Sequence, residues 1–338
     1  MTDTLATGRQ DAPPPIAHHP VREVFTGPVG SIGITLVIVI AAGLIVIGPR
    51  FLSASNITIA GQFVAIPILI GAFAAFALLA GVVDLSIGSM AGVSAAIIGA
   101  LLVNGWEIWP AMAITLAACL VFGCINALAI VGFNADPIAA TLGMLTGLRG
   151  ATYVIVEAFG QSGSLFAFHE GLFAFTNMMA WSLPLIFLIA LCVTAVAALI
   201  VGKTRLGRHV RAVGGDPLAA ARAGISVARV RTGALLLSAF GAGIGGILYV
   251  GQLGAVSRLL GFGLEFQVYA ALMIGGYSIL RGGVGAPVGG ALGFLVIAGA
   301  ANILDLSGIS PYYVNVIVGA LLLAAVLLDR LRGGDAYE

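Results

Sequence analysis

The sequence is poor in charged residues. Its 338 residues include only 15 Lys and Arg and 14 Asp and Glu, which together make 9% of the chain, against about 25% in soluble globular domains. Apolar residues make up 60%, and the mean hydropathy is +1.12. A soluble chain of this length cannot bury that much apolar surface, so the composition excludes a soluble enzyme, a nucleic-acid-binding protein and a disordered chain.

Cysteine and polar catalytic groups are also scarce. The sequence has three cysteines, Cys119, Cys124 and Cys192, all within apolar runs. Their odd number and the lack of a C-x-x-C pair predict neither a disulfide framework nor a metal site. The apolar runs contain no cluster of His, Asp and Ser that would indicate an enzyme within the membrane, so we expect a protein that is not an enzyme.

Glycine, in contrast, is abundant, with 48 residues, about twice the usual ~7% share. Glycine is frequent in membrane helices because it lets backbones approach closely. The apolar runs have the length of spanning helices, which need about 20 residues. We therefore predict an all-α polytopic membrane protein with about ten transmembrane helices. The predicted spans are 30–48, 57–79, 87–103, 111–131, 138–156, 180–201, 232–252, 266–280, 285–304 and 311–328.

The basic residues predict the orientation. With the N-terminus in the cytoplasm, all Lys and Arg residues lie on the inner side except Arg50 and Arg258 outside and Arg149 within a span. This bias is the positive-inside pattern, and it places both termini in the cytoplasm. The predicted organisation is a disordered cytoplasmic tail at 1–29, a transmembrane domain at 30–328 and a second cytoplasmic tail at 329–338.

The longest inner loop, 202–231, holds seven of the 15 basic residues. It contains a predicted short helix with Asp216 as N-cap, Pro217 at the first helical position and Gly224 as the stop. A loop that only sets topology or lies on anionic membrane lipid is one interpretation. Such a loop needs no caps, so the alternative is a docking helix for a cytoplasmic partner. The residues proposed for docking are Asp216, Pro217, Ala220, Ala221, Arg222 and Gly224.

Four polar residues in or beside the spans are candidates for a translocation path or gate: Asp84, Arg149, Asn126 and Asn302. Each has a structural alternative. Asp84 is placed at the inner edge and reads as the N-cap of the third span. Arg149 is expected to cap or snorkel where its helix breaks at Gly150. The asparagines are expected to join helices by hydrogen bonds.

Small residues repeat at four-residue spacing in three regions, which predicts close helix crossings. The residues are Gly88 and Gly92, Gly241 and Gly245, and Gly285, Gly289 and Gly293. The sequence also has a Lys203-Thr204 pair after Gly202, but Ala197 stands where a phosphate-binding loop needs glycine. We therefore expect no nucleotide site on this chain.

Four stretches in collinear order resemble the ribose-permease-like family of monosaccharide ABC-importer permeases, part of the branched-chain amino acid and sugar permease superfamily. Residues 81–89 read GVVDLSIGS, similar to the family's GGIDLSVGS, although Val82 replaces its second glycine. Residues 136–150 are similar to the family's PxFIATLG…RG segment, residues 207–225 to its cytoplasmic coupling segment, and residues 275–289 to its glycine-rich GGTSLxGGxGxxxGxxxG region. The resemblance covers roughly residues 55–330.

The resemblance implies the transmembrane subunit of a bacterial ABC importer in the inner (plasma) membrane. Two permease subunits, identical or related, would form the path for a pentose, hexose or similar polyol. A cytoplasmic ATPase would carry ATP and Mg, so this chain would bind no cofactor, and a periplasmic binding protein would deliver the sugar. The phenylalanine-rich outer segment 157–179 would be an interfacial belt or a surface for that protein. The alternative function is an ion-coupled secondary transporter of a small neutral solute.

Overall fold

The computed structural model describes residues 28–310 and 312–334, and its main elements are helices. The helices are α1 Pro28–Ile47, α2 Ala54–Leu79, α3 Ile87–Val103, α4 Ile108–Ala127, α5 Pro137–Phe159, α6 Glu170–Thr176, α7 Leu185–Lys203, α8 Arg205–Gly215, α9 Pro217–Arg222, α10 Val227–Leu253, α11 Leu264–Ile274, α12 Pro287–Leu306 and α13 Tyr312–Gly334. The short strands are β1 Ser164–Phe166, β2 Met179–Ala180, β3 Leu183–Pro184 and β4 Ala255–Ser257.

Each of the ten predicted spans coincides with one of these helices. Within the described residues, seven helices are long and apolar enough to cross a membrane. The other three predicted spans match shorter apolar helices at Ile87–Val103, Leu264–Ile274 and Tyr313–Leu323. The protein is therefore a multi-pass helical membrane protein.

The termini of the predicted domains differ from the observed ones. Helix α1 begins at Pro28, and the predicted tail at 1–29 otherwise lies outside the described residues. The last helix continues to Gly334, so residues 329–334 extend α13 instead of starting a tail. The sixth span also begins later than predicted, because a β2–β3 hairpin occupies residues 179–184 before α7. Trp181 and Ser182 at its tip have positive φ, which ends any helix there.

Helix α2 lies at the centre of the bundle. It packs against α10, α7 and α12, and 83% of its most apolar window is buried. At its crossing with α10, a Cβ added to Gly241 or Gly245 would collide with the side chains of Phe73 and Ile70. The predicted close crossing is thus confirmed for Gly241 and Gly245, because the two backbones approach where glycine removes the side chain.

Of the three glycines predicted at one crossing, Gly289 and Gly293 lie in a helix crossing and Gly285 does not. Gly289 and Gly293 of α12 pack on the backbone carbonyls of Gly275 and Ala271 beside α11. Gly285 is not in a helix: it precedes α12 with φ +131° and packs on the ring of Tyr277. Its spacing matched the pattern by position alone, since the helix begins only at Pro287.

Gly88 and Gly92 of α3 pack mainly against the carbonyl oxygens of a segment of consecutive turns, which we call the turn segment. This segment, residues 258–263, runs from β4 to α11. A Cβ on Gly92 would lie 2.6 Å from the Leu260 carbonyl oxygen, and one on Gly88 would lie 2.5 Å from that of Gly261. Helix α11 begins at Leu264, before the predicted start at 266, and it is short because it ends at Ile274 instead of 280.

The segment predicted on the outer side forms a small surface of its own. Strand β1 pairs antiparallel with β4, which ties residues 164–166 to the end of α10. The phenylalanines predicted to lie at an interface are all exposed: Phe159, Phe166, Phe168, Phe173 and Phe175. Trp181 at the hairpin tip is 92% exposed, so this end of the protein presents an aromatic face.

Candidate functional site: a buried carboxylate cluster, an ion pair and a capped loop helix

Asp84 lies in the connection between α2 and α3 and is only 1% exposed. Its Oδ1 accepts hydrogen bonds from the Ser86 hydroxyl at 2.6 Å and the Ser86 backbone N–H at 3.1 Å. Its Oδ2 accepts one from the Ser238 hydroxyl of α10 at 2.7 Å. Both carboxylate oxygens therefore have partners, as a buried charge requires.

Two more residues complete this group, which we call the Asp84 cluster: Asp84, Ser86, Asn126, Ser238 and Tyr269. The Tyr269 hydroxyl of α11 accepts from the Asp84 N–H at 2.7 Å and donates to the Asp84 carbonyl at 2.9 Å. The Asn126 amide of α4 donates to the Ser86 hydroxyl at 3.0 Å. The cluster thus joins the start of α3 to α4, α10 and α11.

The N-cap interpretation of Asp84 is wrong. Ser86 occupies the N-cap position of α3, and Asp84 lies two residues before it and bonds to Ser86 itself. Burial raises the pKa of the Asp84 carboxyl, while hydrogen bonds from Ser86 and Ser238 lower it. Both carboxylate oxygens thus accept hydrogen bonds from protein donors, and the Asp84 cluster as a whole links α3, α4, α10 and α11 in this conformation.

Arg149 is not at a helix break, since α5 continues to Phe159. Its Nη2 lies 3.4 Å from Oε1 of Glu265, and its guanidinium carbon lies 4.5 Å from the centre of the Phe262 ring. The Glu265 side chain is 2% exposed and that of Arg149 is 20% exposed. The ion pair links α5 to the first turn of α11, and the contact with Phe262 links α5 to the turn segment. A guanidinium in a span needs such partners.

Glu265 was not among the candidate residues, because it falls between the predicted spans 232–252 and 266–280. Its Oε2 is buried and has no hydrogen-bond partner among the described residues. The signal that pointed to it was indirect: Arg149 in a span requires a counter-charge. Nothing local identifies which of the outer glutamates supplies it, because the two residues are 116 positions apart.

Asn302 lies apart from the Asp84 cluster. Its amide and that of Asn56 exchange two hydrogen bonds, at 2.8 and 2.9 Å, and Asn56 also donates to the Phe51 carbonyl at 2.7 Å. This arrangement joins α12 to the start of α2. The structure therefore places Asn302 in the helix-joining role and Asn126 in the buried cluster.

Helix α5 has a face that no other element of the described residues covers. Among residues 28–310 and 312–334, the Cβ positions of Gly143, Gly147 and Gly150 have no heavy atom within 4 Å, and Val154 on the same side is 68% exposed. Only 17% of the apolar window of α5 is buried. These glycines are not used for packing within the described part of the chain.

The predicted helix in the inner loop is confirmed as α9. The Asp216 carboxylate accepts from the N–H groups of Leu218 and Ala219 at 2.9 and 3.0 Å, with Pro217 at the first position. Gly224 follows the helix with φ +83°, a value that glycine adopts without strain. Ala220 is buried, whereas Leu218 is 72% exposed. Ala221 and Arg222 are exposed as well, so most of α9 projects outward.

The fold is that of a multi-pass helical membrane protein. Residues 57–326 match the family model described as "Branched-chain amino acid transport system / permease component". Because the match covers most of the chain, the protein belongs to this family of transport permeases.

Three relatives have similar length and sequence. The D-allose transport system permease of Escherichia coli (strain K12) is 32% identical, over 83% of this chain and 85% of the relative. The ribose import permease of Bacillus subtilis (strain 168) is 32% identical, over 89% and 92%. The galactose/methyl galactoside import permease of Escherichia coli (strain K12) is 30% identical, over 89% and 94%.

Proposed function

We propose that this chain is the transmembrane subunit of a bacterial ABC importer that carries a monosaccharide across the inner membrane. The names of the three relatives support a sugar, since they refer to allose, ribose and galactose. The uncharged character of most of the spans suits a neutral solute. The substrate class is therefore a pentose, a hexose or a similar polyol.

The observation that carries the proposal is helix α9. It has six residues, so it is too short to be stable alone in water, yet Asp216, Pro217 and Gly224 define both of its ends. A loop that only sets orientation does not need such a helix. Its exposed surface, including Leu218, is suited to a cytoplasmic ATPase, which would supply ATP and Mg while this chain binds no cofactor.

The same proposal accounts for the two ends of the molecule. The basic loop 202–231 favours the cytoplasmic side, with ten spans and both termini cytoplasmic. The aromatic face with Phe166, Phe168 and Trp181 then lies on the periplasmic side, where a sugar-binding protein would dock beside the lipid headgroups. Aromatic side chains are enriched at that depth of the membrane.

The uncovered face of α5 is the proposed position of a second permease subunit and of the path between them. Gly143, Gly147 and Gly150 would let a partner helix or a sugar approach the α5 backbone closely. Arg149 on this helix is the path residue that we propose to test first. Asp84 and Asn126 are proposed to act at the gate through the buried cluster and not by touching the sugar.

Reconstitution tests this function. The chain is co-expressed with candidate ABC ATPases and sugar-binding proteins, and the complex is placed in proteoliposomes. We expect co-purification of the ATPase and uptake of radiolabelled D-ribose, D-allose or D-galactose that requires ATP. Failure to co-purify with the ATPase, together with uptake driven by a proton gradient alone, would instead establish the ion-coupled alternative.

A further inference from the structure

Arg211 on α8 reaches out of its own loop to another part of the chain. Its Nη1 donates to the carbonyl oxygen of Gly283 at 3.2 Å, and its Nη2 donates to that of Gly285 at 2.8 Å. Gly283 and Gly285 lie in the connection between α11 and α12, residues 275–286. One half-buried guanidinium therefore holds two points of a connection more than 70 residues away.

The contact under Arg211 is made by backbone on backbone. The Gly283 N–H donates to the carbonyl of Leu79, the last residue of α2, at 2.8 Å. A Cβ on Gly214 of α8 would collide with that same carbonyl oxygen, and a Cβ on Gly282 would lie 2.5 Å from the Gly214 oxygen. No side chain separates the three elements at these points, so a shift of α8 must displace the connection or break the contact.

The connection is attached in turn to α11 and α12. Gly285 packs on the ring of Tyr277, which is 3% exposed, and Gly289 packs on the Gly275 carbonyl at the end of α11. Tyr269 in the same helix belongs to the Asp84 cluster. Helix α11 is therefore held at its middle by that cluster. Its end is held by the connection to which Arg211 donates two hydrogen bonds.

We propose that Arg211 is a positioning residue that transmits movement of α9 to α11, through α8 and residues 282–285. This rests on the proposed function, in which α9 docks the ATPase. Helix α9 follows α8 after the single residue Asp216. Arg211 and Gly214 both lie on α8, and both contact residues 282–285 of the connection. A guanidinium is suited to this role because its planar fork presents several fixed donors, whereas a lysine ammonium is a single point charge.

The experiment uses the complex of permease, ATPase and binding protein with the variants Arg211→Gln and Arg211→Lys. Arg205→Gln is the matched control, since Arg205 is an exposed arginine of the same helix. Hydrogen exchange is measured in residues 275–286 of each complex. In proteoliposomes, sugar transported per ATP hydrolysed is measured with the radiolabelled sugar that the binding protein retains.

We expect Arg211→Gln to keep the ATPase bound and hydrolysing ATP. Exchange in residues 275–286 should rise and transport per ATP should fall by roughly tenfold, as loss of charge-assisted hydrogen bonds allows. Arg211→Lys should lie between wild type and Arg211→Gln, and Arg205→Gln should match wild type. Unchanged exchange, or unchanged transport per ATP, in Arg211→Gln would overturn the proposal.

Two further outcomes separate this proposal from the proposed function. If Arg211→Gln loses the ATPase while Arg205→Gln keeps it, Arg211 acts in docking or folding, and transmission is refuted. If the wild-type chain itself binds no ATPase, the proposed function fails, whatever hydrogen exchange shows at residues 275–286.

Discussion

The α2–α10 crossing and the outer face of α5 use the same residue type in opposite ways. At the crossing, the side chains of Phe73 and Ile70 of α2 occupy the space beside Gly241 and Gly245 of α10. On α5, no atom of the described residues lies within 4 Å of the Cβ positions of Gly143 and Gly147. The spacing of the glycines is the same on both helices and does not distinguish them. Their contacts do, because Gly241 and Gly245 pack against another helix of the same chain. The second pair remains available for what the chain binds.

The largest expected effect is the loss of folded protein in Gly241→Leu, compared with the same substitution at Gly147. Gly241→Leu places a large side chain against Phe73 at the centre of the bundle, and we expect a cost above the ~1–3 kcal/mol typical of overpacking. The folded yield from size-exclusion chromatography should collapse. Gly147→Leu is the matched change on α5, and its yield as a single chain should stay near that of wild type.

Gly147→Leu also sharpens the comparison on the functional side. We expect it to lower assembly of two permease subunits or uptake in proteoliposomes, because leucine blocks close approach to α5. A folded Gly241→Leu chain, or a Gly147→Leu chain with normal assembly and uptake, would show that the two faces do not differ as described.

The next largest effect is a loss of stability at Asp84, a buried carboxylate, compared with Asp216, an exposed one. Both carboxylates accept hydrogen bonds. Asp84→Ala leaves the hydroxyls of Ser86 and Ser238 without their acceptor in a buried site, at a cost of about 1–3 kcal/mol for each group that finds no new partner. Asp216→Ala removes only the N-cap of α9, which costs about 0.5–2 kcal/mol. Thermal unfolding in detergent should therefore show the larger decrease for Asp84→Ala.

Asp84→Asn is the control for shape, since asparagine retains one carbonyl acceptor in the same space. We expect it to be more stable than Asp84→Ala. If Asp84→Ala unfolds at the temperature of Asp216→Ala, the buried cluster does not stabilise the bundle more than an exposed cap stabilises its helix.

A smaller effect on folding, with a large effect on function, is expected for Arg149→Ala. The arginine is partly exposed on α5, so the complex should still assemble, but Glu265 loses its counter-charge and the turn segment loses its contact with α5. We expect uptake to fall by about tenfold, because the proposed path loses its arginine and Glu265 is left as an unpaired charge. Uptake assays with the assembled complex measure it, and a normal rate would remove Arg149 from the path.

Local signals in the sequence predicted much of this architecture. The apolar runs marked a helix at each of the ten predicted positions, and Asp216, Pro217 and Gly224 marked both ends of α9 because capping involves only neighbouring residues. The Arg149–Glu265 and Asn56–Asn302 pairs were not predictable, since they join residues 116 and 246 positions apart. The turn segment 258–263 was also missed, because its place beside α3 depends on contacts with Gly88 and Gly92.

The smallest expected effect concerns the Asn56–Asn302 pair, whose two hydrogen bonds join α2 to α12 within the bundle. Hydrogen bonds between membrane helices are worth about 0.6–2 kcal/mol. Asn302→Ala should therefore lower the unfolding temperature slightly and leave uptake per folded complex unchanged. Asn56→Ala and the double variant complete a cycle: the double loss should be smaller than the sum of the single losses, because either change already breaks the joint. Additive losses, or a loss of uptake without a loss of stability, would return Asn302 to the candidates for the path.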